Sequence, residues 1–155
     1  MALPSHTRRD GENEAAFLAR LRDKYGGRAT MARMLQEAIA RTPQKLALVD
    51  GAGNRLTYQE LGDRIARLAG GLRQIGVNPG DRVAIMMRSH VDYVVAYYAL
   101  ITRGLVIVPV NVRLAAPELT YILDNADAHV ILADGEFQGI LTEALAMSDR
   151  PDEKR

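Results

Sequence analysis

Between Val83 and Ala133 the chain alternates short, β-branched apolar runs with longer helical ones, and that alternation admits very few folds. Val83–Met87, Leu105–Val110 and His129–Ala133 lack the polar alternation of half-solvated strands, so the last two in particular read as strands covered on both faces. The first connection is opened by Ser89, with Asp92 three residues on. Its Val91, Tyr93, Val94, Val95, Tyr97, Tyr98, Leu100 and Ile101 make it apolar on nearly every side, which predicts a helix buried between layers. The second connection runs from Pro117, suited to a first helical turn, to about Asn125, although Ala115 and Ala116 offer no capping side chain. Pro109 has no N–H for a ladder and belongs at a strand end. Strand, helix, strand, helix, strand over residues 82–133 requires a parallel sheet with right-handed crossovers and helices on its faces. The expected fold class is α/β: a parallel-sheet βαβαβ unit with flanking helices.

Upstream, Ala16, Phe17, Leu21 and Tyr25 recur at helical spacing between Glu12 and Tyr25, and Gly26-Gly27 ends the pattern. A second helix is predicted over about Met31 to Arg41, closed by Thr42-Pro43. Leu46–Val49 and Leu56-Thr57-Tyr58, separated by the turn residues Asp50-Gly51-Ala52-Gly53-Asn54, read as a hairpin. Thr57 and Glu60 have the spacing of a capping box, so a helix should start there. Leu61, Ile65, Leu68, Leu72 and Ile75 give it one apolar stripe, Gly76 ends it, and Asn78-Pro79-Gly80 turns the chain into the first sheet strand. Beyond Ala133, Gly135 to Met147 predicts a weak helix through Phe137, Ile140, Leu141 and Leu145, followed by a charged end. The expected organisation is therefore an N-terminal extension over 1–28, a partial α/β domain over 29–134, and a weak helix and tail over 135–155.

Composition removes several classes of function. Twenty basic against nineteen acidic residues leave a net charge of +1, with no basic block, so no electrostatic footprint of a nucleic-acid binder exists. The absence of cysteine excludes disulfides, thiolate metal sites and a cysteine nucleophile. The first ten residues lack an apolar core of the signal-peptide type, and no later segment approaches the roughly 18 apolar residues of a membrane span. A cytoplasmic chain is expected.

Four elements carry a family resemblance. Leu56-Thr57-Tyr58-Gln59-Glu60-Leu61, Gly80-Asp81-Arg82-Val83-Ala84-Ile85, Arg103-Gly104 leading to Pro109-Val110-Asn111, and Pro117-Glu118-Leu119-Thr120-Tyr121-Ile122-Leu123 follow one another at sensible separations. In that order they resemble the start of the adenylate-forming enzymes, the superfamily of acyl-CoA synthetases, adenylation domains and luciferases. The resemblance covers about residues 30–134. It implies a complete enzyme that activates a carboxylic acid with ATP and magnesium to an acyl-adenylate, and then passes the acyl group to coenzyme A. Pro109-Val110-Asn111 followed by Arg113 is more similar to acyl-CoA synthetases than to peptide-synthetase domains, which favours a fatty- or aryl-acid CoA ligase.

The parts of the family that carry its chemistry have no matching positions here: the Gly-rich phosphate loop, the aromatic-Thr-Glu element, the ribose-binding Asp and the mobile C-terminal domain with its Lys. No catalytic, cofactor-binding or metal residue is therefore expected, and no cofactor is expected to bind this chain by itself. Gly51-Ala52-Gly53 lacks the third glycine of a dinucleotide loop and does not open onto a helix, so it reads as a turn. His6, His90 and His129 have no ligand partners at metal spacing, which leaves surface or capping roles. Tyr93, Tyr97 and Tyr98 at helical spacing read as core rather than as an acyl tunnel, and Asp92, Asp124 and Asp127 as helix-end residues rather than a metal site. The expected function is the N-terminal portion of an AMP-dependent acyl-CoA synthetase, inactive alone. The alternative is a non-catalytic α/β module acting by association with itself or with a missing downstream domain.

Overall fold

The computed structural model describes residues 30–148, together with the isolated positions 13, 16, 19 and 20. The helix expected over Glu12–Tyr25 and the charged end beyond Ser148 lie outside these residues, the isolated positions apart. Helix α1 (Met31–Arg41) is followed by an antiparallel hairpin of β1 (Leu46–Val49) and β2 (Arg55–Thr57), then by α2 (Tyr58–Gln74). The sheet unit comprises β3 (Arg82–Met86), α3 (Val91–Thr102), β4 (Val106–Pro109), α4 (Ala116–Ala126) and β5 (Val130–Ala133). A 3-10 turn (Gly135–Phe137) and α5 (Gln138–Met147) complete it.

The three sheet strands are parallel, in the order β4-β3-β5, with Val83 opposite Ile107 on one side and Val130 on the other. Alternation along β3 sends its side chains to two different cores. Val83 and Ile85 pack with Leu72 of α2 and with Ala96 and Leu100 of α3, while Ala84 and Met86 pack with Leu119 and Leu123 of α4 and with Phe137 and Ala144. The unit is thus doubly wound, with α2 and α3 on one face and α4 and α5 on the other. A third core joins α1 and the hairpin to α2 and α3 through Leu35, Leu56, Leu61, Val91 and Val95. Gly62 makes room for α1: a Cβ there would stand 2.9 Å from Ile39 Cδ1.

The local signals shape the elements as expected at α2. Thr57 Oγ1 accepts from the Glu60 N–H at 3.3 Å, and Glu60 Oε2 accepts from the Thr57 N–H at 2.8 Å. The Thr57 N–H, and after it the Thr57 hydroxyl, donate to the Glu60 carboxyl and hold it below its ordinary pKa. At the far end Gly76 adopts φ 86°, with the Gly76 N–H donating to Arg73 O and the Val77 N–H to Leu72 O. That is a Schellman stop, sealed by Val77 and Leu72 in one core. Gly104 stops α3 in the same way, with the Leu105 N–H on Leu100 O. At α4 the corresponding left-handed residue is Asp127, φ 51°, with the Ala128 N–H on Leu123 O. An L-residue is strained there, and the exposed pairs of Asp127 with Arg82 at 3.7 Å and His129 at 3.5 Å compensate little. Asp127→Gly is expected to stabilise the fold by about 1 kcal/mol and to raise the thermal midpoint by a few degrees, whereas Asp127→Ala lowers it.

Four expectations require correction. Ser89 does not cap α3: the cap is His90, whose Nδ1 accepts from the Asp92 N–H at 3.2 Å. Ile75 does not join the α2 stripe; it is the cap residue before the Gly76 stop, turned outward and 69% exposed. β4 and β5 are only partly covered: each sends side chains to both cores, Val108 and Ile131 to one and Ile107 and Leu132 to the other, but each lies at an edge of the sheet among the described residues, Val106 is 47% exposed and all four residues of β5 are half-buried. Pro109 does occupy a strand end, and α4 starts without a capping side chain at Ala115, whose N–H instead donates to Glu118 Oε2 at 2.9 Å.

Candidate functional site

In an open parallel sheet, ligands sit outside the C-terminal strand ends where adjacent connections leave to opposite faces. One such point lies between β3 and β5: the chain leaves β3 for α3 on one face, and leaves β5 for α5 on the other. Met86 stands opposite Ala133 in the parallel register, so the segments 87–90 and 134–137 emerge side by side.

The crevice is closed by the chain's own side chains. Arg88 donates from Nε to Glu136 Oε1 at 2.6 Å and from Nη2 to Glu136 Oε2 at 2.8 Å, a bidentate pair, and its guanidinium lies 5.5 Å from the centre of the Phe137 ring. These contacts raise the pKa of Arg88 and hold the Glu136 carboxyl below its ordinary value. Asp134 Oδ2 accepts from the Arg88 N–H at 2.7 Å, and its Oδ1 lies 2.9 Å from His90 Nε2. Since His90 Nδ1 accepts from the Asp92 N–H, the bonding pattern assigns the ring proton to Nε2, which donates to Asp134. Both ring nitrogens are therefore engaged, and the His–Asp pair has no free base to offer a substrate.

On its outer side His90 borders a cleft of about 300 Å³ between the β1–β2 turn and the start of α3, lined by Leu48, Val49, Asp50, Ser89, Tyr93 and Val94 among others. Asp50 organises that turn. Its Oδ1 accepts from the Ala52 and Asn54 N–H groups at 3.0 and 2.9 Å, and its Oδ2 accepts from Asn54 Nδ2 at 2.8 Å. The same carboxylate faces the Val91 N–H at 3.5 Å, and its pKa is lowered, chiefly by the Asn54 side chain.

The residues singled out in the sequence do not converge. Gly51-Ala52-Gly53 forms the turn, with Gly53 at φ 84°. His90 joins the strand-end cluster, His129 lies on the far side beside Asp127, and His6 falls outside the described residues. Asp92 pairs with Arg64 at 3.1 Å and Asp124 accepts from Ser148 Oγ at 2.8 Å, so the aspartates serve separate helix ends. Tyr93, Tyr97 and Tyr98 are half-buried and pack against the cores flanking α3, and burial raises the pKa of Tyr98. Arg88, Asp134 and Glu136 were not among the candidates; their positions just beyond two strand ends were the available signal.

A phosphate cradle needs free N–H groups at a helix start; Thr30, Thr57 and His90 each accept from one N–H in the first turns of α1, α2 and α3, whereas α4 and α5 start without a side-chain cap. No group of three or more His, Cys, Asp or Glu side chains converges among the described residues. No helix among them is long and apolar enough to cross a membrane.

Comparison with known proteins identifies the lineage. The family model described as "AMP-binding enzyme" matches residues 35–154. The chain belongs to the AMP-binding enzyme family. Feruloyl-CoA synthase of Amycolatopsis sp is 44% identical over 93 residues, covering 60% of this chain and 19% of that protein. The long-chain-fatty-acid–CoA ligase FadD13 of Mycobacterium tuberculosis is 31% identical over 119 residues, 76% of this chain and 24% of the ligase. Among solved structures, the inhibitor-bound N-terminal domain of FACL13 from M. tuberculosis superposes with a TM-score of 0.72 at 29% identity, over 79% of this chain and 31% of that domain. A benzoate CoA ligase from Burkholderia xenovorans LB400 gives 0.71 at 31% identity, over 76% of this chain and 24% of the enzyme. The chain thus spans about a fifth to a quarter of the length of these curated relatives. The α/β unit expected from the sequence is the architecture shared with these N-terminal ligase domains.

Proposed function

We propose that the chain is the N-terminal portion of an AMP-dependent acyl-CoA ligase for a fatty or aryl carboxylic acid, and that it contributes scaffold rather than catalytic groups. The observation that carries this reading is the strand-end crevice: in a family member, the place where a doubly wound sheet would hold a ligand is closed by Arg88–Glu136 and His90–Asp134. ATP, magnesium and coenzyme A belong to the complete ligase, which we place in the cytoplasm. The substrate class follows the names of the relatives, which are ligases for ferulate, benzoate and long-chain fatty acids.

The test is a chimera in which residues 30–148 replace the matching segment of the Amycolatopsis feruloyl-CoA synthase. With ferulate, ATP, Mg²⁺ and coenzyme A, the chimera is expected to form the thioester, while the pure 155-residue chain releases no pyrophosphate. A folded chimera without activity, or acyl-CoA synthesis by the isolated chain, would overturn the reading.

A further inference from the structure

A histidine caps the first turn of α3, at a place where the usual oxygen cap would be indifferent to pH. Ser, Thr and Asn accept through an oxygen whose lone pairs do not change across neutral pH, whereas an imidazole nitrogen accepts only while it carries no proton. Ser89 stands beside the cap position, yet it is His90 Nδ1 that accepts from the Asp92 N–H, at 3.2 Å. The opposite nitrogen, Nε2, donates to Asp134 Oδ1 at 2.9 Å, and Asp134 Oδ2 in turn accepts from the Arg88 N–H at 2.7 Å. The ring is thus anchored at one edge and caps the helix with the other.

A second ring proton has opposite effects at the two edges. At Nε2 the bond to Asp134 becomes an ion pair, which strengthens the anchor. At Nδ1 the new proton sets donor against donor, and the Asp92 N–H loses its acceptor. Carboxylates surround the ring: Asp134 faces it from the end of β5, and Asp50 of the β1–β2 turn lines the same cleft. On the segment of His90 itself, Arg88 is paired with Glu136, and Asp92 with Arg64 of α2. Against the carboxylates stands the positive end of the α3 dipole, which repels a cation at the cap but fades as the first turn opens.

Asp50 is placed to receive the released Nδ1–H. Its Oδ1 is committed to the Ala52 and Asn54 N–H groups. Its Oδ2 has one close donor among the described residues, Asn54 Nδ2 at 2.8 Å, and faces the Val91 N–H at 3.5 Å, too far for a full bond. That oxygen therefore retains a free lone pair beside the start of α3.

We propose that His90 is a proton-operated cap: on taking up its second proton the ring releases the first turn of α3 and pairs through Nδ1–H with the Asp50 carboxylate, drawing the β1–β2 turn over the cleft. The device consists of this chain's own residues and is independent of the ligase reading, whose chimera can succeed or fail without touching it.

NMR of the 155-residue chain from pH 8 to pH 5, the range in which an imidazole changes charge, tests the device. Ring nitrogen shifts report the protonation of His90, amide-exchange protection reports the cap at Asp92, and the amide shifts of Ala52 and Asn54 report the turn. As the ring becomes doubly protonated, protection at Asp92 is expected to fall about fivefold, the effect of losing a typical cap, and the turn shifts should move with the same midpoint. His90→Asn keeps an acceptor that does not titrate and should make both readouts independent of pH. Asp50→Asn should preserve the loss at Asp92 and abolish the coupled movement of the turn. Unchanged Asp92 protection beside a doubly protonated ring, a ring that stays singly protonated down to pH 5, the same pH dependence in His90→Asn, or a turn that ignores the titration of the ring would overturn the proposal. The shared midpoint in the unmodified chain decides the matter even if a variant misfolds.

Discussion

Replacing Leu119 by alanine is expected to lower the free energy of unfolding by about 3 kcal/mol, measured as a fall in urea midpoint at constant slope. Leu119 is fully buried, at the centre of the core that ties α4 to Ala84 and Met86 of β3 and to Phe137 and Ala144. Truncation removes apolar area and leaves a cavity. The site cannot easily collapse, because a strand ladder forms one wall and two helices form the others. A loss of that size is a substantial part of the about 5–15 kcal/mol available to a domain. Tyr121, two residues along the same helix and 70% exposed, is the control: Tyr121→Ala is expected to change stability by no more than a few tenths of a kcal/mol. Equal losses at the two positions would mean that α4 is not anchored through Leu119.

What the sequence made legible was governed by short-range codes. The bounds of α1, the Thr57–Glu60 capping box and the Gly76 stop each depend on residues within one or two turns of one another, and each forms as read. The alternation over 82–133 was also legible, since a parallel βαβαβ unit is the one arrangement that buries such runs economically. Cover over β4 and β5 was not legible, because the burial of a strand depends on its neighbours rather than on its own composition. Val106 and Leu132 are as apolar as Val83, yet among the described residues only β3 lies between two other strands.

The strand-end cluster escaped for a related reason. Arg88 meets Asp134 and Glu136 across 46 and 48 residues, and only the order β4-β3-β5 brings them together. Alternation of strands and helices fits the order β3-β4-β5 equally well, and in that order β4 would separate the two loops. The misplaced cap at Ser89 is a smaller failure with the same lesson: hydroxyl capping is the usual signal, but His90 is held by a distant aspartate in the orientation that turns Nδ1 toward the helix.

That coupling makes Asp134→Asn the second large expected effect, a loss of about 2 kcal/mol. The Asp134 side chain is only 19% exposed and receives two donors, the Arg88 N–H on one oxygen and His90 Nε2 on the other. An amide has one oxygen. If that oxygen keeps the Arg88 N–H, the amide NH₂ confronts the Nε2 proton. Relief requires His90 to move its proton to Nδ1, which then no longer accepts from the Asp92 N–H, and α3 loses its cap. Either outcome forfeits a hydrogen bond in a poorly solvated place. Nitrogen chemical shifts of the His90 ring distinguish them: the native chain should show the Nε2–H form, and Asp134→Asn should shift the population toward Nδ1–H. Glu136→Gln, at a half-exposed site where one Arg88 contact survives, should cost less than half as much. An Asp134→Asn protein with native urea midpoint and unchanged His90 shifts would show that the two strand-end segments are held together by something other than this carboxylate.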